Sequence, residues 1–346
     1  MVGSFMADGI RCYPGDGGPP IELTAGVRCP STIGTFNMDT KGHTSNNEFL
    51  SYQFSITPYP GSSLVVIPST PVFIGMNPNG SLVPAVVWID SITSNSQSVT
   101  CTWKGNYNSS QWLGVVNMGN LHVSEIYPAM NQYGIHLTDS TNFLEINDAV
   151  AVGQCIWKGA VRADHTWTAP DIPGYDRSKY LIFAHWDNNS VVLDYNADAK
   201  SITAVYPDPR GISGYSSCDM EVAIFCDGVA PVPHNGGISI FNAAGQCTFS
   251  TSTAPFLLKG FIPAAGGGAP AGVRRMMVPL MRTGISVVDK ESQWRHSYMG
   301  MRMSGNILSA VRGYYTGRQY PSNYVGVAGD KVINVTLPIL DAANYL

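Results

Sequence analysis

The stretch between Met220 and Phe261 constrains the fold more than any other part of the sequence. It contains three short apolar runs, Met220–Phe225, Gly237–Phe241 and Phe256–Phe261, which are separated by glycine, proline and small polar residues. Apolar runs of this length, bounded by turn-forming residues, are typical of β-strands. The stretch therefore predicts a local β-structure around which the rest of the chain is organised.

The middle of this stretch has the pattern of a β-hairpin. Ile238 and Ile240 alternate with small or polar residues, and so do Cys247 and Phe249. This period of two places one face of a strand against a core. Gly245 lies between the two segments and can adopt a positive φ without steric cost, as a tight turn requires. We predict a hairpin over residues 237–250, followed by a third strand over residues 256–261.

A second version of this unit lies near the N-terminus. Residues 9–13, GIRCY, correspond to residues 237–241, GISIF, and Gly17 is placed like Gly245. A glycine and an aromatic residue within 34–36 correspond roughly to those within 259–261. Repetition of a supersecondary unit indicates an internal duplication, here with copies about 228 residues apart.

The hairpin residues also carry a resemblance to a known family. The matching positions are Gly237, Ile238, Ile240, Phe241, Asn242, Gly245, Phe249, Ser250, Pro255, Leu257 and Gly260. This pattern resembles that of an uncharacterised family of tailed-bacteriophage proteins, which lie among tail and tail-fibre genes. The resemblance covers about the last third of the chain. It implies a role in the phage tail and provides no catalytic residue.

The composition favours β-structure with many turns. Charged residues make up 13% of the 346 residues, about half the usual share, whereas 44% are hydrophobic and can form a sizeable core. The chain also has 36 glycines and 23 prolines. We predict an all-β fold of two or more β-sandwich-like modules with long loops. We place an N-terminal β module at 1–165, a linker and β-hairpin region at 166–217, and a C-terminal β module at 218–346.

Several shorter segments allow specific predictions. Val99, Cys101 and Trp103 alternate and are expected on one face of a strand. Residues 180–186 and 191–195 are expected to form a hairpin around the polar turn 187–189. The low-complexity segment 263–272, PAAGGGAPAG, has the composition of a mobile loop.

Charge and hydropathy exclude two classes of partner. The formal net charge is −4, without the basic face that a nucleic-acid-binding protein needs, so no nucleic-acid partner is expected. The sequence contains no apolar run of about 18 residues, so no membrane insertion is expected. The N-terminal residues lack a secretory signal pattern, which indicates synthesis in a host cytoplasm. The seven cysteines contain no C-x-x-C spacing, and we predict buried free thiols rather than disulfides or a metal site.

One segment imitates the start of a calcium-binding loop. Asp194, Asn196 and Asp198 have the required spacing, but position six is Ala199 instead of glycine and position twelve is Val205 instead of glutamate. An ordinary turn between two strands is the favoured interpretation.

The remaining catalytic residue types do not form a specific motif. His165 and His185 flank Asp171 and Asp176, a set that could serve acid–base chemistry or hold a metal, yet the histidines lack H-x-H or H-x-x-x-H spacing. Carboxylate pairs of the type that a glycosidase needs are Asp171 with Asp176, and Asp187 with Asp194. The sequence therefore predicts a protein that is not an enzyme and has no cofactor or metal.

Four aromatic residues lie in polar, turn-rich surroundings and are candidates for ligand binding or for an interface: Tyr107, Trp112, Trp167 and Tyr175. Exposed aromatic rings stack on sugars or anchor protein contacts. Partial burial in the core is the alternative for each of them.

Three functions follow as hypotheses. The first is a structural component of a bacteriophage tail, at the tip or in a fibre assembly, located in the virion. The second is a module of the virion that binds a carbohydrate or host receptor, through the four aromatic residues. The third is a polysaccharide hydrolase on a β scaffold, supported by the generic carboxylate pairs alone.

The predicted strands also indicate association with other chains. Those at 64–67, 81–89 and 238–241 contain neither lysine nor glutamate, the residues with which soluble monomers block exposed edges. We expect partners to cover some edges: other virion tail proteins, and further copies in a symmetric ring or trimer. Residues 1–8 and 263–272 are expected to become ordered on contact. The alternative is that each module covers its own edges.

Overall fold

The computed structural model describes residues 9–14, 17–24, 27–38, 43–46, 49–75, 85–105, 119–128, 134–138, 143–147, 152–207, 214–233, 237–290, 293–321 and 329–346. Within these ranges the chain forms antiparallel strands and two short 3-10 helices, Arg177–Lys179 and Ala342–Asn344, and it has no α-helix. The predicted all-β fold with several sandwich-like sheets is confirmed.

In the N-terminal half the structure describes strands of four to ten residues. They are β1 (Gly9–Cys12), β2 (Ile21–Thr24), β3 (Ser31–Asn37), β4 (His43–Asn46), β5 (Phe49–Ser55), β6 (Ser63–Pro68), β7 (Val72–Gly75), β8 (Ala85–Ser94), β9 (Ser98–Gly105), β10 (Asn120–Ile126), β11 (Gly134–Thr138) and β12 (Phe143–Asn147). They form a five-stranded sheet in the order β4-β5-β9-β8-β7 and a three-stranded sheet in the order β3-β10-β6. β1 pairs with β2, and β11 pairs with β12.

The strands of the C-terminal half include the longest in the chain. They are β13 (Cys155–Asp164), β14 (Thr166–Thr168), β15 (Tyr180–His185), β16 (Val192–Asn196), β17 (Ser201–Tyr206), β18 (Gly214–Tyr215), β19 (Ser217–Cys226), β20 (Ser239–Phe241), β21 (Cys247–Ser250), β22 (Gly260–Pro263), β23 (Gly266–Gly268), β24 (Met276–Pro279), β25 (Gly284–Lys290), β26 (Gln293–Ser304), β27 (Ile307–Pro321), β28 (Gly329–Val332) and β29 (Thr336–Asp341).

Two larger sheets organise these strands. A six-stranded sheet has the order β13-β19-β15-β24-β29-β22. A nine-stranded sheet follows the path β14-β17-β16-β26-β25-β28, with β18 paired to β17, β27 to β26 and β23 to β27. β13 leads directly into β14, so the chain passes from one large sheet to the other at the residue between them, His165.

Alternating side chains build the core. Val99, Cys101 and Trp103 are fully buried on one face of β9, as the sequence predicts. Opposite them in β5, Tyr52 and Phe54 are buried as well, while the intervening residues are more exposed. The period of two therefore determines which face of this sheet meets the core.

An aromatic cluster fills the core around the six-stranded sheet. Phe225 packs edge to face against Phe183, Phe256 and Tyr345, with ring centroids 5.6, 5.0 and 5.8 Å apart. This geometry is the one that aromatic quadrupoles favour. It ties β15 and β19 to the end of the chain.

The Tyr345 hydroxyl satisfies two backbone groups in this core. It donates to the carbonyl of Pro255 at 2.9 Å and accepts from the amide of Leu257 at 3.0 Å. Tyr345 is fully buried, so neither group has water as an alternative partner.

The predicted hairpin over residues 237–250 is confirmed as β20 and β21. Gly245 has a φ of 76°, and the Asn242 side-chain oxygen accepts from the amides of Ala244 and Gln246 at 3.0 and 2.9 Å. Asparagine and glycine therefore shape the turn in the way that the sequence indicates.

The N-terminal copy also forms a hairpin, β1 with β2, and Gly17 has a φ of 74°. The segments that follow the two hairpins meet directly. The amide of Arg28 donates to the carbonyl of Leu258 at 2.9 Å, and the amide of Leu258 donates back at 2.8 Å. The strand predicted over residues 256–261 is thus shifted: β22 begins at Gly260, because the residues before it bond to other parts of the chain.

The hairpin predicted from residues 180–186 and 191–195 is wrong. β15 pairs with β19 and β24, whereas β16 pairs with β17 and β26 in the other large sheet. The turn itself forms, since the Ser190 amide donates to the Asn188 side chain at 3.0 Å. The strands are nearly fully buried, and each completes a different sheet rather than pairing with its sequence neighbour.

The segment 263–272 is not the loose loop that its composition indicates. Gly266 and Gly268 belong to β23, which pairs with Ile307–Ser309 of β27. Gly266 has a φ of 124°, and a Cβ there would lie 2.5 Å from the carbonyl oxygen of Leu308. The glycines serve a close approach of two backbones.

The division at residues 165 and 217 stays a prediction. β13, which precedes the first boundary, pairs from Cys155 to Asp164 with β19, so the six-stranded sheet combines strands from all three predicted regions.

Candidate functional site

The four aromatic residues singled out in the sequence have different placements. Tyr107 and Trp112 lie outside the described residues. Trp167 is half-buried in β14, with its ring 5.8 Å from that of Trp157. Tyr175 is 38% exposed in a turn, where its amide donates to the carbonyl of Ile172 at 3.2 Å. The role of these residues in binding stays a prediction.

Two more exposed tyrosines lie on the edge formed by β17 and β18. Tyr206 is 49% exposed and Tyr215 is 57% exposed. Tyr206 pairs with Gly214, and Val205 pairs with Tyr215. Because neighbouring residues of a strand point to opposite faces, the two tyrosines lie on opposite faces of the sheet. The ring of Tyr206 lies over Gly214, where a Cβ would collide with it.

His165 is held beside Tyr215 in a strained conformation. Its φ is 68°, in the left-handed region that side chains other than glycine rarely adopt. Its amide donates to the carbonyl of Ser216 at 3.1 Å, and its carbonyl accepts from the amide of Ala204 at 2.8 Å. These bonds fix an exposed imidazole whose ring centroid is 5.4 Å from that of Tyr215, at 33° between planes.

A buried ion pair lies on the same face of the sheet. Asp194 pairs with Thr203 of β17, two residues from the partner of Tyr215, so both side chains point to one face. Asp194 accepts from Nε and Nη2 of Arg282, both at 2.9 Å, in a bidentate arrangement. The Asp194 side chain is 4% exposed and that of Arg282 is 17% exposed.

Two further tyrosines complete this cluster. The Arg282 guanidinium lies 3.6 Å from the ring centroid of Tyr298, a cation–π contact. The Tyr314 side chain interacts with that of Tyr215, and this interaction contributes to the raised pKa of Tyr314. We refer to His165, Asp194, Tyr215, Arg282, Tyr298 and Tyr314 as the tyrosine–arginine cluster.

The charges in the cluster are held together by their surroundings. Burial alone disfavours the Arg282 cation, but the charge of Asp194 and its hydrogen bonds more than offset this, so the pKa of Arg282 stays above its ordinary value. Burial, followed by the contact with Tyr215, raises the pKa of Tyr314. The cluster therefore places the Tyr314 phenol, with its raised pKa, near a compensated ion pair.

Sequence reasoning missed most of this site. It listed His165 in a candidate acid–base set without a specific motif, it placed Asp194 in a turn, and it did not single out Arg282. The turn interpretation is confirmed, since the Asn196 side chain accepts from the amides of Asp198 and Ala199, both at 3.1 Å. No local motif could reveal the cluster, because its members come from separate strands and loops.

The other candidate acid–base residues have structural partners. Asp171 pairs with Arg177 at 3.3 Å, and the Asp187 side chain accepts from the amide of Gly305 at 2.6 Å. His185 Nδ1 lies 2.8 Å from the Met276 carbonyl, to which it donates. In the part of the chain that the structure describes, no group of three His, Cys, Asp or Glu side chains could hold a metal ion.

A second feature is a groove between sheets. It is lined by residues of β6, β8, β22 and the start of β29, and its volume is about 330 Å³. β6 ends the strand order of its sheet and β22 ends that of the six-stranded sheet, so two sheet edges flank the groove. Phe261 in its wall is 43% exposed. We refer to it as the edge groove; its main apolar lining is Leu64, Val66, Ile92, Phe261 and Val335.

All seven cysteines are free thiols, as predicted, and six of them are buried. Burial raises the pKa of Cys29 and Cys101 to about 12. At such values the thiolate, the reactive form, is scarce at neutral pH.

These features define an all-β protein with an aromatic site on one sheet and an open groove at two sheet edges. The chain belongs to a family of unknown function, DUF6453, whose pattern matches residues 9–321. No curated protein and no solved structure matches the chain. Among the helices of the described ranges, none has the length and hydropathy to cross a membrane.

Proposed function

We propose that the chain is a structural component of a bacteriophage tail, at the tip or in a fibre assembly of the virion, and that it acts through protein–protein contacts. The proposal starts from the resemblance carried by the hairpin pattern of residues 237–260. The observation that supports it best is the edge groove. The proposed function includes no catalytic role for the chain.

The edge groove has the properties of a site for strand addition. The sequences of β6 and β22, SLVVIP and GFIP, contain no charged residue that would keep another strand away. Leu64 and Val66 of β6 are half-buried on one side of the groove, and Phe261 of β22 is the more exposed side chain. An extended segment can gain main-chain hydrogen bonds from an open edge and place alternate side chains in such a groove.

The occupant that fits best is a strand from a second copy of this chain. The chain is itself rich in uncharged apolar strands, and the groove offers it Ser94, Asn334 and Thr336 as neutral polar partners instead of charges. Copies related by rotational symmetry would each supply one strand and receive another, as in a ring or trimer. Neighbouring tail proteins would cover the remaining edges.

The oligomeric state of the full chain tests this proposal. Light scattering during size-exclusion chromatography should show an oligomer, and combining Leu64→Lys with Phe261→Lys should weaken association at least tenfold. Val232→Lys is the matched control, because Val232 is 68% exposed and lies outside the groove.

Mass spectrometry of purified phage particles should find the chain in the tail. A monomer at every concentration, together with its absence from particles, would refute the proposal. An oligomer that tolerates both groove substitutions would place the interface elsewhere and refute the role of the groove.

A second candidate function is a module that binds a host carbohydrate or receptor. The specific observation in its favour is the exposed ring of Tyr215 beside His165, in the tyrosine–arginine cluster. Binding of the full chain to a glycan array tests this function, and Trp112→Ala tests the aromatic residue named from the sequence.

A further inference from the structure

We infer that the tyrosine–arginine cluster is a binding site for a neutral pyranose sugar, whose ring stacks on Tyr215. This inference rests on the second candidate function and names both its site and its ligand class. The sugar would be a unit of a larger glycan.

The first argument is the exposure of the Tyr215 side chain. Tyr215 is 57% exposed, although it stands on a paired strand rather than on a loose loop. Exposed aromatic rings of this kind can stack on sugars. The C–H face of a pyranose matches such a ring in size and polarity, and its hydroxyls remain free for hydrogen bonds.

The second argument is that the ring is fixed before any ligand arrives. The Tyr215 side chain interacts with that of Tyr314, and the His165 imidazole lies 5.4 Å from the Tyr215 ring, with 33° between the two planes. His165 keeps this position despite its positive φ, because its amide and carbonyl are both hydrogen-bonded. Strained residues that are held in place in this manner concentrate at binding sites, and fixed rings lower the entropic cost of binding.

The third argument concerns the polar groups beside the ring. Thr203 pairs with both Thr166 and Asp194, so the two threonines share the face of Tyr215. Their hydroxyls are 3.2 Å apart, and Thr166 is exposed. Hydroxyl groups that both donate and accept are suited to the hydroxyls of a sugar.

The ion pair decides the charge of the ligand. Arg282 would favour an acidic sugar if it were free, but Asp194 neutralises it in a bidentate contact. A carboxylate on the ligand would have to compete with Asp194 for the same guanidinium. The site is therefore suited to a neutral sugar and not to a uronic or sialic acid.

Binding of methyl glycosides of glucose, galactose, mannose and N-acetylglucosamine to the full chain tests the inference, by saturation-transfer NMR and calorimetry. We expect at least one of them to bind. Tyr215→Ala should weaken binding at least tenfold. His165→Gly should weaken it by a smaller factor, since glycine keeps the backbone conformation and removes only the ring.

Tyr206→Ala is the matched control, because Tyr206 has similar exposure on the same pair of strands but points to the opposite face. It should leave binding unchanged. Melting temperatures of all variants should show that each is folded.

The outcomes separate the site from the function. A glycan array without any binding to the unmodified chain refutes both. Glycan binding that survives Tyr215→Ala, or that Tyr206→Ala reduces equally, keeps the function and refutes this site. Preference for glucuronic or sialic acid over neutral sugars refutes the ligand class. The ligand class is also refuted if the chain binds to the glycan array but to none of the methyl glycosides.

Discussion

Replacing Asp194 by asparagine should destabilise the protein strongly. The substitution removes the charge that balances Arg282 in the bidentate contact, and the side chains of Asp194 and Arg282 are 4% and 17% exposed. Breaking a buried ion pair from one side costs roughly 3–5 kcal/mol, because the other charge stays desolvated. Asparagine keeps one acceptor and Arg282 keeps its stacking on Tyr298, so we expect the lower end, about 3 kcal/mol.

The measurement is a double-mutant cycle on the free energy of unfolding, which compares Asp194→Leu, Arg282→Met and the combination of the two. Arg282→Met alone leaves Asp194 buried and unpaired, and it should cost a similar amount. The combination of Asp194→Leu with Arg282→Met removes both charges and should be close to neutral, because apolar groups of similar volume can replace a buried pair without loss. The combination should therefore cost far less than the sum of the two single substitutions, and this difference is the coupling between the two sites.

Calorimetry gives an independent readout. For a chain of this size about 1 kcal/mol corresponds to roughly 2 °C in melting temperature, so Asp194→Asn should lower it by about 6 °C. A change within ~0.5 kcal/mol for Asp194→Asn would show that solvent reaches the pair and that the burial argument is incorrect. Arg282→Lys provides a further check, since lysine lacks the planar fork and should not restore the bidentate contact.

Three further predictions concern other parts of the fold. Tyr345→Phe should cost about 1–3 kcal/mol by thermal unfolding, since it leaves a buried amide and a buried carbonyl without their hydroxyl partner; an unchanged stability would contradict the hydrogen bonds. Burial lowers the pKa of His122 to about 3, below its value near 6.5 in the unfolded chain. The free energy of unfolding should therefore be highest above pH 6.5 and be lower by about 2 kcal/mol at pH 5. Urea titrations of His122→Leu should show a weaker pH dependence, and an equally steep loss in this variant would assign the dependence to other groups. Gly266→Ala should destabilise by more than about 2 kcal/mol through its positive φ and backbone collision, whereas Gly268→Ala, with no neighbour within 4 Å, should be mild; equal effects in denaturant would contradict the close approach.

Local chemistry made part of the fold predictable. The hairpin at Gly245 forms as expected, because the residues that shape it are adjacent in sequence. The alternation in β5 and β9 predicts the buried face for the same reason. The assignment of β15 and β16 to different sheets could not be predicted, since a turn signal does not specify which strands lie on either side of it.

The candidate site, in contrast, could not be predicted from the sequence. Asp194 in β16 and Tyr314 in β27 come near each other because both strands pair with β26, and Arg282 reaches Asp194 from the segment before β25. Their residue types are common in any β protein, so composition gives no warning. The exposed Tyr215 carried a weak signal, an aromatic residue between glycine and two serines, which the turn-rich surroundings concealed.

The reciprocal hydrogen bonds between Arg28 and Leu258 have a consequence for the order of folding. These residues are about 230 positions apart, so the segment around Arg28 cannot form this pairing until Leu258 has been synthesised. At a synthesis rate of roughly 5–20 residues per second, about 10–50 s pass between the synthesis of Arg28 and that of Leu258. During that time the backbone groups of Arg28 would be free to pair with a strand of another nascent or folded chain. Closure of the molecule is therefore a late event, governed by the arrival of its second hairpin rather than by the stability of its first.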